Sequence, residues 1–351
     1  INLSYYLLRR RRAVITYEKG ADVMMQRKNM VWKERMSEYW MIGLLLFLIA
    51  VFSYISPVFA TRGNLSNFLR SMATIITQAV TYGLMGIGMT CVIISGGIDL
   101  SCGAITACAG TMAAYLAVYG CHPVVCVAAG ILCGGAWGLL NGFLITRFEL
   151  KPFIVTVGSN YMIRGLTQMI TGGVLIGGLP GWFYRISNTN LFGGMIYSNF
   201  LIFLALGAAV VLVMKYTIFG RCCYAVGASK KASGLAGIRV NSHLLKVYFI
   251  EGALAGIAGV ILMSYLNVGA SSEAMGLEAY AIAAVIIGGI RFEGGTGGME
   301  RAFLGLLIIE IFKNGMAVAG LNTYGQQAVT GLMILAAIVM DYFRKKKEES
   351  V

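Results

Sequence analysis

The feature that most constrains this chain is a series of long, uninterrupted apolar segments. One helical crossing of a bilayer needs about 20 apolar residues, and segments of about that length recur from residue 39 to residue 343. Because a segment surrounded by lipid must satisfy its own backbone hydrogen bonds, each one is predicted to be helical. The predicted spans are 39–60, 72–95, 103–120, 123–146, 153–172, 198–219, 244–266, 277–290, 298–319 and 325–343.

The predicted fold class is therefore an all-α integral membrane protein of about ten transmembrane helices, with short or broken segments near Gly-rich motifs. Hydrophobic residues make up 58% of the chain and charged residues 12%, whereas a soluble domain has roughly 45–50% and 25%. The span 277–290 is short for a full crossing, and half-spanning and broken forms both stay open. The predicted polytopic domain comprises residues 39–343. A basic cytoplasmic segment at 1–38 precedes it, and Met24, Met25 and Met30 are plausible translation starts within that segment. A basic cytoplasmic tail at 344–351 follows the domain.

The Lys and Arg residues predict the orientation of these spans. If the N-terminus is cytoplasmic, 23 of the 28 Lys and Arg residues fall in segments on the cytoplasmic side of the membrane. Arg62, Arg70 and Arg185 fall outside, and two more lie within spans. This bias satisfies the positive-inside rule with both termini cytoplasmic. Although the net charge is +13, basic clusters between apolar blocks are typical of topology signals and indicate no nucleic-acid partner.

Glycine spacing predicts close helix packing. Gly130, Gly134, Gly138 and Gly142 recur at intervals of four within one span, so they share a helix face. In lipid, a ridge of this kind lets a second helix approach closely. The spans are therefore expected to form a compact bundle.

Cysteine and histidine give no sign of a metal site or of catalysis. The eight cysteines include no CxxC pair, and most lie in apolar segments, where free Cys behaves as a small hydrophobe. The two histidines, His122 and His243, lie near opposite ends of spans, so no base–nucleophile pair or metal cluster can be built from them. No catalytic residue and no metal are predicted, and a membrane enzyme is disfavoured.

Two Gly-rich motifs point to a transport pathway. Val92-Ile-Ile-Ser-Gly-Gly-Ile98 precedes Asp99, and Val285-Ile-Ile-Gly-Gly-Ile290 precedes Arg291. Both place a glycine pair next to a charge at the end of an apolar segment. Unwound backbone in a bilayer is tolerated where it faces protein or a cavity, which makes such breaks pointers to a binding site. A parallel repeat, an inverted repeat and a chance resemblance all stay open.

Four stretches carry a resemblance to a known family. Gly88-Met-Thr-Cys-Val-Ile-Ile-Ser-Gly-Gly-Ile-Asp-Leu-Ser101 closely resembles the signature of the ribose/xylose/arabinose/galactose-type permeases of ABC importers. Three further stretches match in the same order: Lys151-Pro-Phe-Ile-Val-Thr-Val-Gly158 with Arg164-Gly165, Tyr224-Ala-Val-Gly227 through Ala232 to Gly237-Ile238, and Ala281-Ile-Ala-Ala-Val-Ile-Ile-Gly-Gly289. The resemblance runs from about residue 40 to 345. The chain departs from the family pattern at Cys102, Lys230-Lys231 and Arg291-Phe-Glu293.

The resemblance implies a permease subunit that moves a monosaccharide of the ribose, xylose or galactose class by alternating access. It implies a second permease copy or paralogue, a cytoplasmic ABC ATPase subunit, a periplasmic or lipid-anchored sugar-binding protein, and a bacterial inner membrane whose lipid surrounds the spans. The chain has no GxxxxGK[ST] motif, so ATP is expected on the partner and no cofactor in this chain. The loop 220–243 resembles the segment that docks on the ATPase. Its coupling candidates are Ala225, Gly227, Ala232, Ala236, Gly237 and Ile238.

Polar groups within the spans supply the remaining candidates. The substrate-pathway candidates are Gly96, Gly97, Asp99, Ser101, Asn160 and Asn314. The intramembrane charges are Arg164, Glu251, Glu310 and Lys313, of which the last two are spaced as an i,i+3 pair. Such charges are costly and often functional, but interhelical ion pairs remain an alternative, as does a helix-capping role for Asp99. A stand-alone proton-coupled secondary transporter using Glu251 and Asp99 is the alternative function.

Overall fold

The computed structural model describes residues 39–55, 65–191, 196–322, 324–333, 335–336 and 339. The predicted N-terminal segment 1–38 and the tail 344–351 lie outside the described residues. The helices are α1 (Tyr39–Ile55), α2 (Leu65–Ile94), α3 (Cys102–Val118), α4 (Pro123–Arg147), α5 (Pro152–Thr171), α6 (Gly181–Asn188), α7 (Ser198–Tyr216), α8 (Ile218–Ala228), α9 (Lys230–Leu235), α10 (Val240–Leu266), α11 (Leu277–Ile287), α12 (Met299–Val318) and α13 (324–333).

The predicted apolar spans coincide with helices. Each of the ten overlaps one of the helices α1–α5, α7 and α10–α13 within the described residues. In the part of the chain that the structure describes, four helical stretches are long and apolar enough to cross a membrane: Met72–Ile94, Pro123–Arg147, Ser198–Tyr216 and Val240–Leu266. The helix α11 has only 11 residues, fewer than the roughly 20 that a full crossing needs.

Short elements between the spans depart from the all-α prediction. A two-residue hairpin pairs β1 (Asn190–Leu191) with β2 (Ile196–Tyr197) in antiparallel register. It follows α6, an eight-residue helix that begins after Pro180. These elements are shorter than a span and carry no long apolar run, so the segment search could not find them.

The long helix α10 lies at the centre of the bundle. It packs against α4, α3 and α2, and most of its residues are buried, as expected for a helix enclosed by others. The helices α11 and α12 pack against each other and against α2. The main apolar core therefore joins α2, α3, α10 and α11.

The predicted glycine ridge of α4 is the contact surface with α10. An added Cβ on Gly134 would overlap the backbone of Gly252 and Gly256, and one on Gly138 would overlap the Tyr248 carbonyl. The facing residues on α10 are thus glycines as well. The prediction of close packing is confirmed, because two small-residue stripes bring the two backbones together.

Candidate substrate pathway and coupling segment

The first Gly-rich motif ends α2 with a tight cap. Gly96 has a φ of +78°, a left-handed conformation that glycine adopts without steric cost. The Gly96 N–H donates to the Ile93 carbonyl at 2.9 Å, and the Gly97 N–H donates to the Val92 carbonyl at 2.9 Å. This pair of bonds is a Schellman motif. The glycine pair therefore stops α2 and frees residues 95–101 from helical geometry.

The second motif ends α11 in the same way. Gly289 has a φ of +79°. Its N–H donates to the Ile286 carbonyl at 2.7 Å, and the Ile290 N–H donates to the Val285 carbonyl at 3.3 Å. The sequence similarity of the two motifs is thus matched by one backbone geometry at equivalent positions.

The segment that follows α11 contacts the end of α2 and the last turn of α8. The Gly295 N–H donates to the Ile94 carbonyl at 2.8 Å. An added Cβ on Gly227 would overlap that same carbonyl and the Gly295 nitrogen. Gly227 lies one residue before the end of α8, where the absence of a side chain allows close packing against the end of α2.

Asp99 is the acceptor at the centre of a buried network. Its carboxylate accepts from the Ser101 N–H at 2.7 Å, from the Ser101 hydroxyl at 2.6 Å and from the Asn141 amide at 3.4 Å. Asn141 also donates to Ser101 Oγ at 2.8 Å and accepts from the Ser159 hydroxyl at 2.5 Å. Asp99, Ser101 and Asn141 are fully buried. The carboxylate therefore binds Ser101, the residue before α3, and ties that position to α4 and α5.

Asn160 and Arg164 connect α5 to two irregular segments. Asn160 donates to the Leu100 carbonyl at 2.5 Å and accepts from Arg164 Nε at 3.0 Å. The Arg164 guanidinium also donates to the Glu273 and Ala274 carbonyls, each at 3.3 Å, and lies 4.0 Å from Glu278 Oε2. These contacts support the interhelical, structural role for Arg164.

Glu251 is fully buried in α10 beside the Asp99 network. Its carboxyl lies close enough to that of Asp99 for the two to share a hydrogen bond when one of them is protonated, but within the described part of the chain neither Glu251 oxygen accepts from a donor of another residue. The glycine Gly88 provides the space, since an added Cβ there would lie 3.1 Å from the Glu251 α-carbon. The two acidic groups are therefore enclosed by the subunit.

Glu310 and Lys313, which are spaced as an i,i+3 pair on α12, interact electrostatically without a hydrogen bond between them. The Glu310 oxygens have no hydrogen-bond partner among the described residues. The Lys313 ammonium lies 5.5 Å from the ring centroid of Tyr82 and 5.5 Å from that of Tyr280. Two aromatic faces from α2 and α11 attract the cation, so the i,i+3 spacing does not decide its contacts.

A cavity of about 330 Å³ lies beside Lys313. Residues from α2, α7, α10, α12 and the 272–277 segment line it. Asn314 lies next to it and donates to Gln78 Oε1 at 3.5 Å. Of the predicted pathway residues, the structure thus brings Asp99, Ser101 and Asn160 together around the segment after α2, while Asn314 lies in a different region.

The predicted coupling segment consists of two helices, α8 and α9. Ser229 caps α9 by accepting the Ala232 N–H at 3.2 Å, and Gly237, with a φ of +88°, follows its last turn. Ala232 and Ala236 are exposed, and Leu235 is 85% exposed. Ala225 lies within α8, and Ile238 is partly buried after α9. The segment therefore presents an apolar side chain on a capped helix.

Asn141 and Ser159 were not among the site residues predicted from the sequence. Tyr82 and Asn199, which line the cavity, were not among them either. Asn141 had a usable signal, because it is the one polar side chain in α4 that directly precedes a glycine of the ridge, Gly142. Polar residues at a small-residue helix interface commonly bond across it. Tyr82 and Asn199 gave no signal of their own, since only the fold places them at one cavity.

A family model described as branched-chain amino acid transport system / permease component matches residues 71–338. This covers most of the chain. The chain belongs to this permease family.

Individual relatives of the permease extend the match to nearly its whole length. It is 36% identical over 306 residues to the ribose import permease protein of Bacillus subtilis, covering 87% of this chain and 92% of the relative. It is 34% identical to the D-allose transport system permease protein of Escherichia coli, covering 87% and 91%. It is 30% identical to an L-arabinose ABC transporter permease protein of Azospirillum brasilense, covering 88% and 89%.

A solved structure of a metal-chelate type ABC transporter in an inward-facing conformation shares the permease's fold. The TM-score is 0.50 at 12% sequence identity, and the match covers 88% of the permease and 99% of that chain. The likeness concerns the fold alone.

Proposed function

We propose that the permease is the membrane-spanning subunit of a bacterial ABC importer that moves a monosaccharide of the ribose, xylose or galactose class. The observation that carries the proposal is the near full-length similarity to permeases of ribose, allose and arabinose. The motif order from residue 88 to residue 289 agrees with it.

The proposed topology has ten crossings with both termini cytoplasmic, in the inner membrane. The charge bias of 23 inner residues to 3 outer ones supports it. In this orientation α8, α9 and the contact of Gly227 and Gly295 with the Ile94 carbonyl lie on the cytoplasmic side. The 172–197 and 267–276 segments lie on the outer side.

The proposed partners follow from this arrangement. A cytoplasmic ABC ATPase docks on α9, a second permease copy or paralogue completes the pathway, and a sugar-binding protein delivers substrate from outside. ATP binds to the ATPase subunit, and this chain needs no cofactor of its own. The packing of Gly227 against Ile94 supports a direct link between the docking segment and the helix ends.

The substrate class is tested by uptake in cells that express the complete importer in a host lacking its own sugar permeases. Radiolabelled D-ribose, D-allose, L-arabinose and L-leucine are supplied in parallel, and the matched control is the same host with the permease gene deleted. At least one sugar should accumulate well above the control, and leucine should not. Accumulation of leucine alone would contradict the proposal and favour the amino acid class in the family's description.

A further inference from the structure

A glycine-rich segment lies in the connection between α11 and α12. Residues 293–298, the glycine segment, have the sequence Glu-Gly-Gly-Thr-Gly-Gly. Gly294, Gly295 and Gly297 have φ values of +82°, +72° and +110°, which glycine adopts without steric cost. Because four of the six residues have no side chain, apolar packing contributes little to the position of the segment. Its backbone contacts therefore determine where it lies.

On one side, the glycine segment contacts the cap of α2. The Gly295 N–H donates to the Ile94 carbonyl at 2.8 Å. An added Cβ on Gly294 would lie 2.8 Å from the Gly96 nitrogen, a distance that side chains essentially never reach. The backbone of the segment therefore lies directly on the backbone that ends α2.

On the other side, the glycine segment contacts two successive turns of α8. The Tyr224 hydroxyl donates to the Gly297 carbonyl at 2.9 Å. An added Cβ on Gly295 would lie 2.7 Å from the Ala228 nitrogen, and residues four apart share one face of a helix. Burial raises the pKa of the Tyr224 hydroxyl, so the group keeps the proton that it donates. The segment is therefore enclosed between α2 and α8, with a side-chain hydrogen bond to α8.

A steric contact and a hydrogen bond transmit movement differently. The contact between Gly227 and the Ile94 carbonyl resists only the approach of α8 to α2. The hydrogen bond from Tyr224 to Gly297 also resists separation, because breaking it leaves a partly buried hydroxyl without its acceptor. Only Ser229 separates α8 from α9, and Gly297 lies two residues before α12. A displacement of α8 and α9 in either direction would therefore reach the glycine segment, and through it α2 and α12.

We propose that Tyr224 is a positioning residue of the importer: its hydroxyl ties the glycine segment to α8, so that movement of the docked ATPase draws α2 and the start of α12 together with α8. The inference rests on the proposed function. It adds the residue that links the docking segment to two transmembrane helices at once. Loss of this hydroxyl should separate ATP hydrolysis from sugar movement without releasing the ATPase.

The test variant is Tyr224→Phe, which removes the donor hydroxyl and keeps the ring. The matched control is Tyr216→Phe, the same exchange at a position that is 67% exposed at the end of α7. Uptake of labelled D-ribose, D-allose and L-arabinose and ATP hydrolysis are measured on the complete importer in the same proteoliposomes, which gives the sugar moved per ATP hydrolysed. Copurification of the ATPase, the thermal unfolding midpoint and hydrogen–deuterium exchange of residues 293–298 are measured in parallel.

In Tyr224→Phe the sugar moved per ATP should fall by about fivefold, which is the effect of losing one typical hydrogen bond. Exchange of the 293–298 amides should rise, while copurification, the midpoint and ATP hydrolysis stay as in the wild type and Tyr216→Phe changes nothing. An unchanged ratio would overturn the inference and leave the proposed function intact. So would a parallel fall of uptake and ATP hydrolysis, because that pattern indicates a role in stability alone. A wild-type importer that moves none of the sugars would refute the proposed function and, with it, this inference.

Discussion

Replacing Gly134 with leucine should prevent the permease from reaching its compact fold. Any side chain at this position overlaps the backbone of Gly252 and Gly256 on α10. Backbone atoms cannot rotate away as a side chain can, so α4 and α10 would have to separate. Overpacking costs about 1–3 kcal/mol where neighbouring side chains can adjust, and a backbone clash at the centre of the bundle should cost at least the upper figure.

The measurement is the thermal unfolding midpoint in detergent, together with monodispersity on size exclusion. Gly158→Leu is the matched control, because an added Cβ at this exposed position on α5 meets no atom within 4 Å. We expect aggregation or a strongly lowered midpoint for Gly134→Leu and wild-type behaviour for the control. A monodisperse Gly134→Leu protein with an unchanged midpoint would show that the two helices do not pack as described.

Replacing Leu235 with aspartate should abolish docking of the ATPase while leaving the permease folded. Leu235 is 85% exposed on α9, so the permease alone loses no packing. If docking buries this side chain, its loss costs about 1.5–3 kcal/mol, and a buried unpaired carboxylate costs more. Ala232→Trp should weaken docking independently by overfilling a close contact, by roughly 1–3 kcal/mol.

Copurification of the ATPase subunit with tagged permease is the measurement for both variants. Leu175→Asp is the control, because Leu175 is 61% exposed and lies in the proposed outer segment between α5 and α6. The control should retain the ATPase. Full copurification with both α9 variants would place the interface elsewhere, with the 147–152 loop or the 291–301 segment as the next candidates.

The positions of the long helices could be predicted because they depend on local properties. A run of about 20 apolar residues and its flanking charges suffice to locate a span. The glycine ridge of α4 could also be predicted from the sequence, since residues spaced four apart share one face of a helix. The elements α6, β1 and β2 carry no such local signal, because they lie in the connection between α5 and α7 and depend on how that connection packs.

The site could be predicted less well because its contacts join distant parts of the chain. Asp99 was found from its adjoining glycines, but its partners Asn141 and Ser159 come from α4 and α5. Lys313 was assigned to Glu310 from spacing along one helix, whereas Tyr82 and Tyr280 reach it from two others. The need for glycine at position 227 has no local signal either, since it comes from the approach of the Ile94 carbonyl on α2.

The central claim is that this chain is the permease of an ATP-driven sugar importer. The most direct measurement is uptake of labelled monosaccharide into proteoliposomes that contain the permease and its ATPase subunit, with the sugar-binding protein outside. ATP is enclosed or omitted, and a proton gradient is imposed or collapsed, in all four combinations. We expect uptake whenever ATP is enclosed, regardless of the gradient, and no uptake without ATP. Uptake that follows the proton gradient in the absence of ATP would contradict this claim and would favour a proton-coupled secondary transporter.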